Sequence, residues 1–100
     1  MKLKMHAVHF TADSDLLDFI QKKTNKLETF FDRIVDGEVF LRLDKNETKE
    51  NKIVEIKLNL PGDQLFAKEK GKSFEAAADA TVEALRRQLI KFKGKKVLVN

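Results

Sequence analysis

Between Ser73 and Lys96 the chain reads SFEAAADATVEALRRQLIKFKGKK. Phe74, Ala78, Thr81, Leu85, Leu89 and Phe92 recur there at spacings of three and four, the stripe of an amphipathic helix about five turns long. Ser73 is suited to accept a hydrogen bond from a first-turn N–H, and Gly94 to end the helix in the left-handed conformation. Ala76, Ala80 and Ala84 form a second row of small side chains, which is expected to face another helix at close approach. A long helix with one apolar stripe must lie on something, so the rest of the chain has to supply a second layer.

The charges of this helix are sorted along it. Glu75, Asp79 and Glu83 lie in its first half, while Arg86, Arg87, Lys91, Lys93, Lys95 and Lys96 follow with no acid among them. The chain has 20 basic and 16 acidic residues, so its net charge of +4 arises wholly from this end. Acids favour a helix N-terminus and bases a C-terminus because of the macrodipole, which accounts for one or two residues at each end. Six bases leave two readings open: a polyanion-binding patch or a solvated, dipole-matched helix end.

The second layer is legible as alternation of period two. Lys2 to Phe10 begins as a strand, with Leu3, Met5 and Ala7 opposed to Lys2, Lys4 and His6. Val39, Leu41 and Leu43 alternate with Glu38, Phe40, Arg42 and Asp44. Val54, Ile56, Leu58 and Leu60 alternate with Ile53, Glu55, Lys57 and Asn59; Leu65 and Ala67 follow in a shorter last strand. Lys45 to Lys52 reads as a polar hairpin loop, Pro61-Gly62-Asp63 as a tight turn, and Asp36-Gly37 as another turn. Residues 97–100 are expected to form a short extended tail.

A second helical stripe, Leu16, Ile20, Leu27, Phe31 and Ile34, follows the capping signal Thr11–Asp15. It places Lys22, Lys26 and Arg33 along one flank, with Lys23 between that flank and the apolar face. The order is β-α-β-β-β-α. It predicts an α+β two-layer sandwich: a four-stranded mixed sheet, its first two strands parallel, with both helices on one face. In that arrangement the Lys22/Lys26/Arg33 flank and the Arg86–Lys96 end contribute to one basic surface. The expected core is Leu16, Ile20, Leu27, Phe31, Val54, Ile56, Leu58, Leu65, Phe74, Leu85 and Leu89.

One hundred residues make one domain. No cysteine is present for a disulfide or a thiolate metal site, and His6 and His9 would point to opposite faces of a strand. No Gly-rich phosphate loop or nucleophile elbow occurs, so neither catalysis, a cofactor nor a metal is expected. The first residues do not read as a signal peptide, and no apolar run approaches the ~20 residues of a membrane span. The order is wrong for an RNA-recognition-motif domain.

Leu58-Asn59-Leu60-Pro61-Gly62-Asp63-Gln64-Leu65-Phe66-Ala67-Lys68-Glu69, followed by Ser73-Phe74-Glu75-Ala76-Ala77-Ala78-Asp79, resembles a stretch of the ribosome hibernation promoting factors and the related ribosome-associated inhibitor A. So does Leu85-Arg86-Arg87-Gln88-Leu89 with Lys91 and Lys93, and so does the first helix with Lys22, Lys23, Lys26, Leu27 and Phe31. The resemblance covers essentially the whole chain, residues 1–100. It implies a cytoplasmic, non-enzymatic ribosome-binding domain, monomeric when free. Such a protein binds the small ribosomal subunit and its ribosomal RNA in the mRNA/tRNA channel at the A and P sites. There it competes with mRNA and tRNA and inhibits translation under starvation or in stationary phase. The RNA-binding residues implied are Lys22, Lys23, Lys26, Arg86, Arg87, Lys91, Lys93, Lys95 and Lys96. The chain departs from the pattern at Ala78, where relatives often carry Ile, and at its end, Asn100, where long relatives continue into a dimerisation domain. The alternatives are a module for another structured RNA, and a protein-interaction domain using an apolar patch of Phe40, Ile53 and Phe66 on the free sheet face.

Overall fold

The computed structural model describes residues 1–46 and 48–99, with side chains described as far as Gly94. The chain runs β1 (Lys2–Ala7), α1 (Ser14–Asn25), a 3-10 turn (Lys26–Thr29), β2 (Asp36–Leu43), β3 (Lys52–Leu60), β4 (Asp63–Gly71) and α2 (Phe74–Val99). The four strands lie in the order β1-β2-β3-β4; β1 is parallel to β2, and the other two pairings are antiparallel. This is the expected α+β sandwich. Helix α2 packs on β3 and β4, and α1 packs against α2.

The alternation of the strands sets what is buried. Val39, Leu41, Val54, Ile56 and Leu58 point into the layer between sheet and helices and are essentially inaccessible. Ile20, Leu27, Leu85 and Leu89 meet them from the helical side. Each such side chain contributes about 1.5–3 kcal/mol through removal of its surface from water. Phe31, Leu65 and Phe74 of the expected core are only partly buried at its margin. There Phe10 stacks on Phe74 with centroids 5.1 Å apart, and Phe31 meets Phe92 edge-on at 5.5 Å.

Two buried threonines complete the helical layer without unsatisfied hydroxyls. Thr24 Oγ1 donates to the Ile20 carbonyl at 2.7 Å, and Thr81 Oγ1 lies 2.7 Å from the Ala77 carbonyl and 3.2 Å from that of Val54. The second contact joins α2 to the sheet through a polar atom inside an apolar core, where an unpaired hydroxyl would be costly.

Several boundaries differ from the sequence reading. Strand β1 ends at Ala7, and His9 turns the chain with φ of 66°. The first helix does not reach Ile34. It ends at Asn25, tightens through the 3-10 turn, and frees residues 30–35 to cross to β2. Ile34 is buried all the same, because that crossing segment lies against the core. Asp36-Gly37 is not a turn but the start of β2. A Cβ on Gly37 would sit 2.8 Å from both Leu3 Cδ2 and the Lys57 carbonyl oxygen, so the glycine is there for close approach of two strands.

At Pro61-Gly62 the turn is as expected: Gly62 has φ of 74°, which glycine adopts without steric cost. Gly94 does not end α2. The helix passes through it to Val99, which also replaces the extended tail expected there; Asn100 lies outside the described residues. Glycine permits a helix end without enforcing one, at a cost of about 1 kcal/mol relative to alanine inside a helix.

The alanine row does not face α1. The side of α2 turned toward α1 and the 3-10 turn carries Asp79, Val82, Glu83 and Arg86, opposite Lys23, Lys26, Leu27 and Phe30. Ala76 is exposed, and at ~100° per residue Ala80 and Ala84 lie on the flank away from that contact. The helix pair therefore meets through long charged side chains, which leave an open groove between them.

Candidate nucleic-acid interface

The groove is built by the end of α1, the 3-10 turn after it and the first half of α2. Asp13 caps α1, its Oδ1 accepting from the Leu16 N–H at 2.8 Å, and Asp15 follows in the first turn. The opposite end carries Lys22, Lys23 and Lys26, cations that complement the negative end of the dipole; Lys22 and Lys26 are exposed and Lys23 is half-buried. The start of α2 is fixed by Ser73, whose Oγ accepts from Ala76 N–H at 3.0 Å and whose carbonyl accepts from Ala77 N–H at 3.0 Å. Three turns further on, Arg86 faces the end of α1.

Lys23, Lys26 and Arg86 thus line one groove, floored by Leu27, Phe30 and Val82. The Arg86 guanidinium carbon lies 5.8 Å from the Phe30 ring centroid, and Lys23 Nζ lies 5.6 Å from that of Phe19. Aromatic faces hold these cations by their quadrupoles. Lys22 is exposed on α1 beside this edge. Lys93, seven residues beyond Arg86, returns to the same side of α2 and is exposed.

Two carboxylates already occupy the groove. Asp79 Oδ1 is 3.0 Å from Lys23 Nζ. Glu83 receives Arg86 Nε at 3.0 Å and stands 3.7 Å from Arg87 Nη1. The hydrogen bond from Arg86, with the nearby charges of Arg86 and Arg87, holds the Glu83 carboxyl below the usual glutamate value. The same hydrogen bond raises Arg86. The sequence reading did not name these pairs, although the spacing of Glu83 to Arg86 and Arg87, three and four residues, is a signal that would have found them. The pairing of Lys23 with Asp79 depends on the helix crossing and has no such signal.

Lys91 is not part of the groove. It lies on the other flank of α2, in a shallow depression with Asp63, Leu65, Gln88 and Phe92, where Gln88 Nε2 donates to the Phe66 carbonyl at 2.9 Å. Arg87 projects outward between the two flanks, its side chain 60% exposed. The side chains of Lys95 and Lys96 lie outside the described residues. Basic residues therefore straddle α2, with the tightest group on the α1 side.

The free sheet face does not carry the expected apolar patch. Phe40 is covered by His6, stacked at 4.8 Å, and by the Arg42 guanidinium at 5.2 Å; Ile53 is buried. Phe66 is half-exposed on β4, opposite Lys57 and two strands from Phe40. Between β2 and β3 Arg42 Nε pairs with Glu55 Oε1 at 3.0 Å, and on the other side of β2 His6 Nε2 lies 2.9 Å from Glu38 Oε2. Among the described residues no group of His, Asp and Glu is arranged to hold a metal ion, and no helix is long and apolar enough to cross a membrane.

Known proteins share both the sequence and the fold. Residues 3–97 match the family model for Sigma 54 modulation protein / S30EA ribosomal protein. A ribosome hibernation promoting factor from Pseudomonas putida is 30% identical over 95 residues, covering 95% of this chain and 89% of that protein. One from Klebsiella oxytoca is 36% identical over 78 residues, 78% of each chain. A solved structure described as a ribosomal subunit interface protein from Coxiella burnetii superimposes with a TM-score of 0.84 at 22% identity. It covers 94% of this chain and 99% of that one, a likeness of fold. With the family model spanning nearly its whole length, the chain belongs to the Sigma 54 modulation protein / S30EA ribosomal protein family.

Proposed function

We propose that this protein is a ribosome hibernation factor that binds the small ribosomal subunit through the basic surface spanning the end of α1 and α2 from Arg86 onward. The observation that carries this reading is the convergence of Lys23, Lys26 and Arg86 on one groove, flanked by Lys22, Arg87 and Lys93, in a chain whose relatives are named for ribosome hibernation. Lys91 adds a base on the other flank of α2, and Lys95 and Lys96 are expected to add theirs nearer its end.

The chemistry is polyanion recognition. Lysines and arginines neutralise phosphates of ribosomal RNA and release condensed counterions, and the shape of the two-layer domain selects the site. In this reading the domain occupies the mRNA/tRNA channel at the A and P sites and competes with mRNA and tRNA. Inhibition then needs no bond made or broken. It acts in the cytoplasm, under starvation or in stationary phase, as a monomer in its free form.

Competition at the P site tests the reading. Pre-bound protein should reduce binding of deacylated tRNA to programmed small subunits in proportion to occupancy, and should lower translation in a purified system. Full tRNA binding at saturating protein would refute occupancy of the channel. Equal binding to an unrelated structured RNA would favour the other reading of the same basic surface.

A further inference from the structure

Three candidate RNA-binding cations are already taken by the protein's own carboxylates. Asp79 and Glu83 stand one helical turn apart on α2, about 6 Å along the axis, and both reach cations of the groove. Asp79 holds Lys23 across the helix crossing, and Glu83 holds Arg86 and Arg87 on its own helix. Glu83 is bound through both its oxygens: Arg86 Nε donates to Oε2 and Arg86 Nη2 to Oε1. That two-point contact is the geometry in which a guanidinium also grips a phosphate.

We propose that Asp79 and Glu83 are built-in phosphate stand-ins, which two phosphates of an RNA strand must displace to bind, and that they determine how selective the surface is. The proposal rests on the RNA-binding reading above. An RNA whose shape seats only one phosphate in the groove releases one cation and leaves the other carboxylate repelling the strand. An RNA whose shape holds two neighbouring phosphates there takes over both partners together. The carboxylates are partly exposed, so they can swing into water when displaced, and the exchange is one charged pair for another. Selection then comes from repulsion of the wrong ligand as well as attraction of the right one.

A structural role for these pairs predicts the opposite sign. If Glu83 only held Arg86 in place, its removal would loosen the site and weaken binding. The test compares Glu83→Gln and Asp79→Asn with Glu50→Gln, which removes the same charge from the exposed β2–β3 loop. Affinity is measured at one salt concentration for purified small subunits and for a 12-nucleotide polyuridylate. Glu83→Gln and Asp79→Asn should each tighten binding to both probes by about fivefold over Glu50→Gln, the scale of one unit charge a few ångströms away in water. The oligonucleotide should gain at least as much as the subunit, narrowing the ratio between them. Binding equal to that of Glu50→Gln, or weaker, overturns the proposal. If wild type fails to bind subunits but the oligonucleotide shows the Glu83 effect, the ribosomal reading fails and the competition stands. Wild type that binds neither probe overturns both.

Discussion

Gly37→Ala is a small change with a large expected effect. Gly37 pairs with Leu3 of β1 on one side and with Leu58 of β3 on the other. The added Cβ would lie 2.8 Å from Leu3 Cδ2, 2.8 Å from the Lys57 carbonyl oxygen and 2.9 Å from Leu58 Cδ2. Comfortable carbon contacts are about 3.5–4.0 Å, so each neighbour must retreat by roughly 1 Å. The two leucine tips can turn aside. The Lys57 carbonyl belongs to the backbone of β3, so relief there means moving a central strand. Overpacking of this kind costs about 1–3 kcal/mol. Against it stands a gain of about 0.5–1 kcal/mol, because alanine loses less backbone freedom than glycine in a strand. A net loss of about 1–2 kcal/mol is expected, which for a domain this size lowers Tm by about 5–15 °C. Thermal unfolding followed by circular dichroism measures it, and urea unfolding at constant m checks that the native state is unchanged. A Tm equal to or above that of wild type would refute the claim that strand approach selects the glycine.

Leu85 is fully buried, so Leu85→Ala should cost about 2–5 kcal/mol in urea unfolding; a loss within error would show that the α2 stripe is not core. Glu83 and Asp44 both have lowered pKa values, the first chiefly through its hydrogen bond from Arg86 and the second chiefly through that from Lys70. Their contribution to stability is present above the ordinary carboxylate values, 4.5 for Glu83, and fades as pH falls through the lower folded ones. Glu83→Gln should therefore lose less stability than wild type between pH 5 and about pH 3, read from urea midpoints; identical slopes would remove Glu83 from that account. Lys26→Glu with Arg86→Glu should weaken small-subunit binding more than Lys91→Glu alone, since the first pair shares the groove; the reverse order, by filter binding, would move the site to the other flank.

How much was legible in the sequence follows from what each element depends on. The strands were readable because one face of the sheet is buried and the other largely solvated, so Val54, Ile56 and Leu58 alternate with Glu55 and Lys57, with Ile53 the buried exception on the second face. The α2 stripe was readable for the same reason at helical period. The end of α1 was not, because Leu27, Phe31 and Ile34 keep helical spacing while the chain has already left the helix. Burial maintains that pattern through a 3-10 turn and a crossing segment as well as through a helix. Asp36-Gly37 looked like a turn because its local chemistry is that of a turn; only the neighbouring strands reveal that the glycine serves packing. The basic residues of the groove, and the meeting of the α1 flank with the basic part of α2, were named from sequence, but which of them share the groove was not. Crossing geometry puts Arg86 against Phe30 and leaves Lys91 beside Asp63, and it also turned the alanine row away from α1.

Cosedimentation of the protein with purified small subunits, for wild type and for Arg86→Glu/Arg87→Glu/Lys91→Glu, tests the central claim most directly. None of these three side chains is in the core, so the variant should keep the wild-type circular dichroism spectrum. New repulsion with Glu83 at three and four residues costs a few tenths of a kcal/mol per pair. Wild type should pellet with the subunits and be released progressively as salt rises, with a slope set by the phosphates it neutralises. The variant should stay in the supernatant at all salt concentrations, because three attractive contacts have become repulsive. A folded variant that pellets like wild type, or wild-type binding that does not change with salt, would contradict the account.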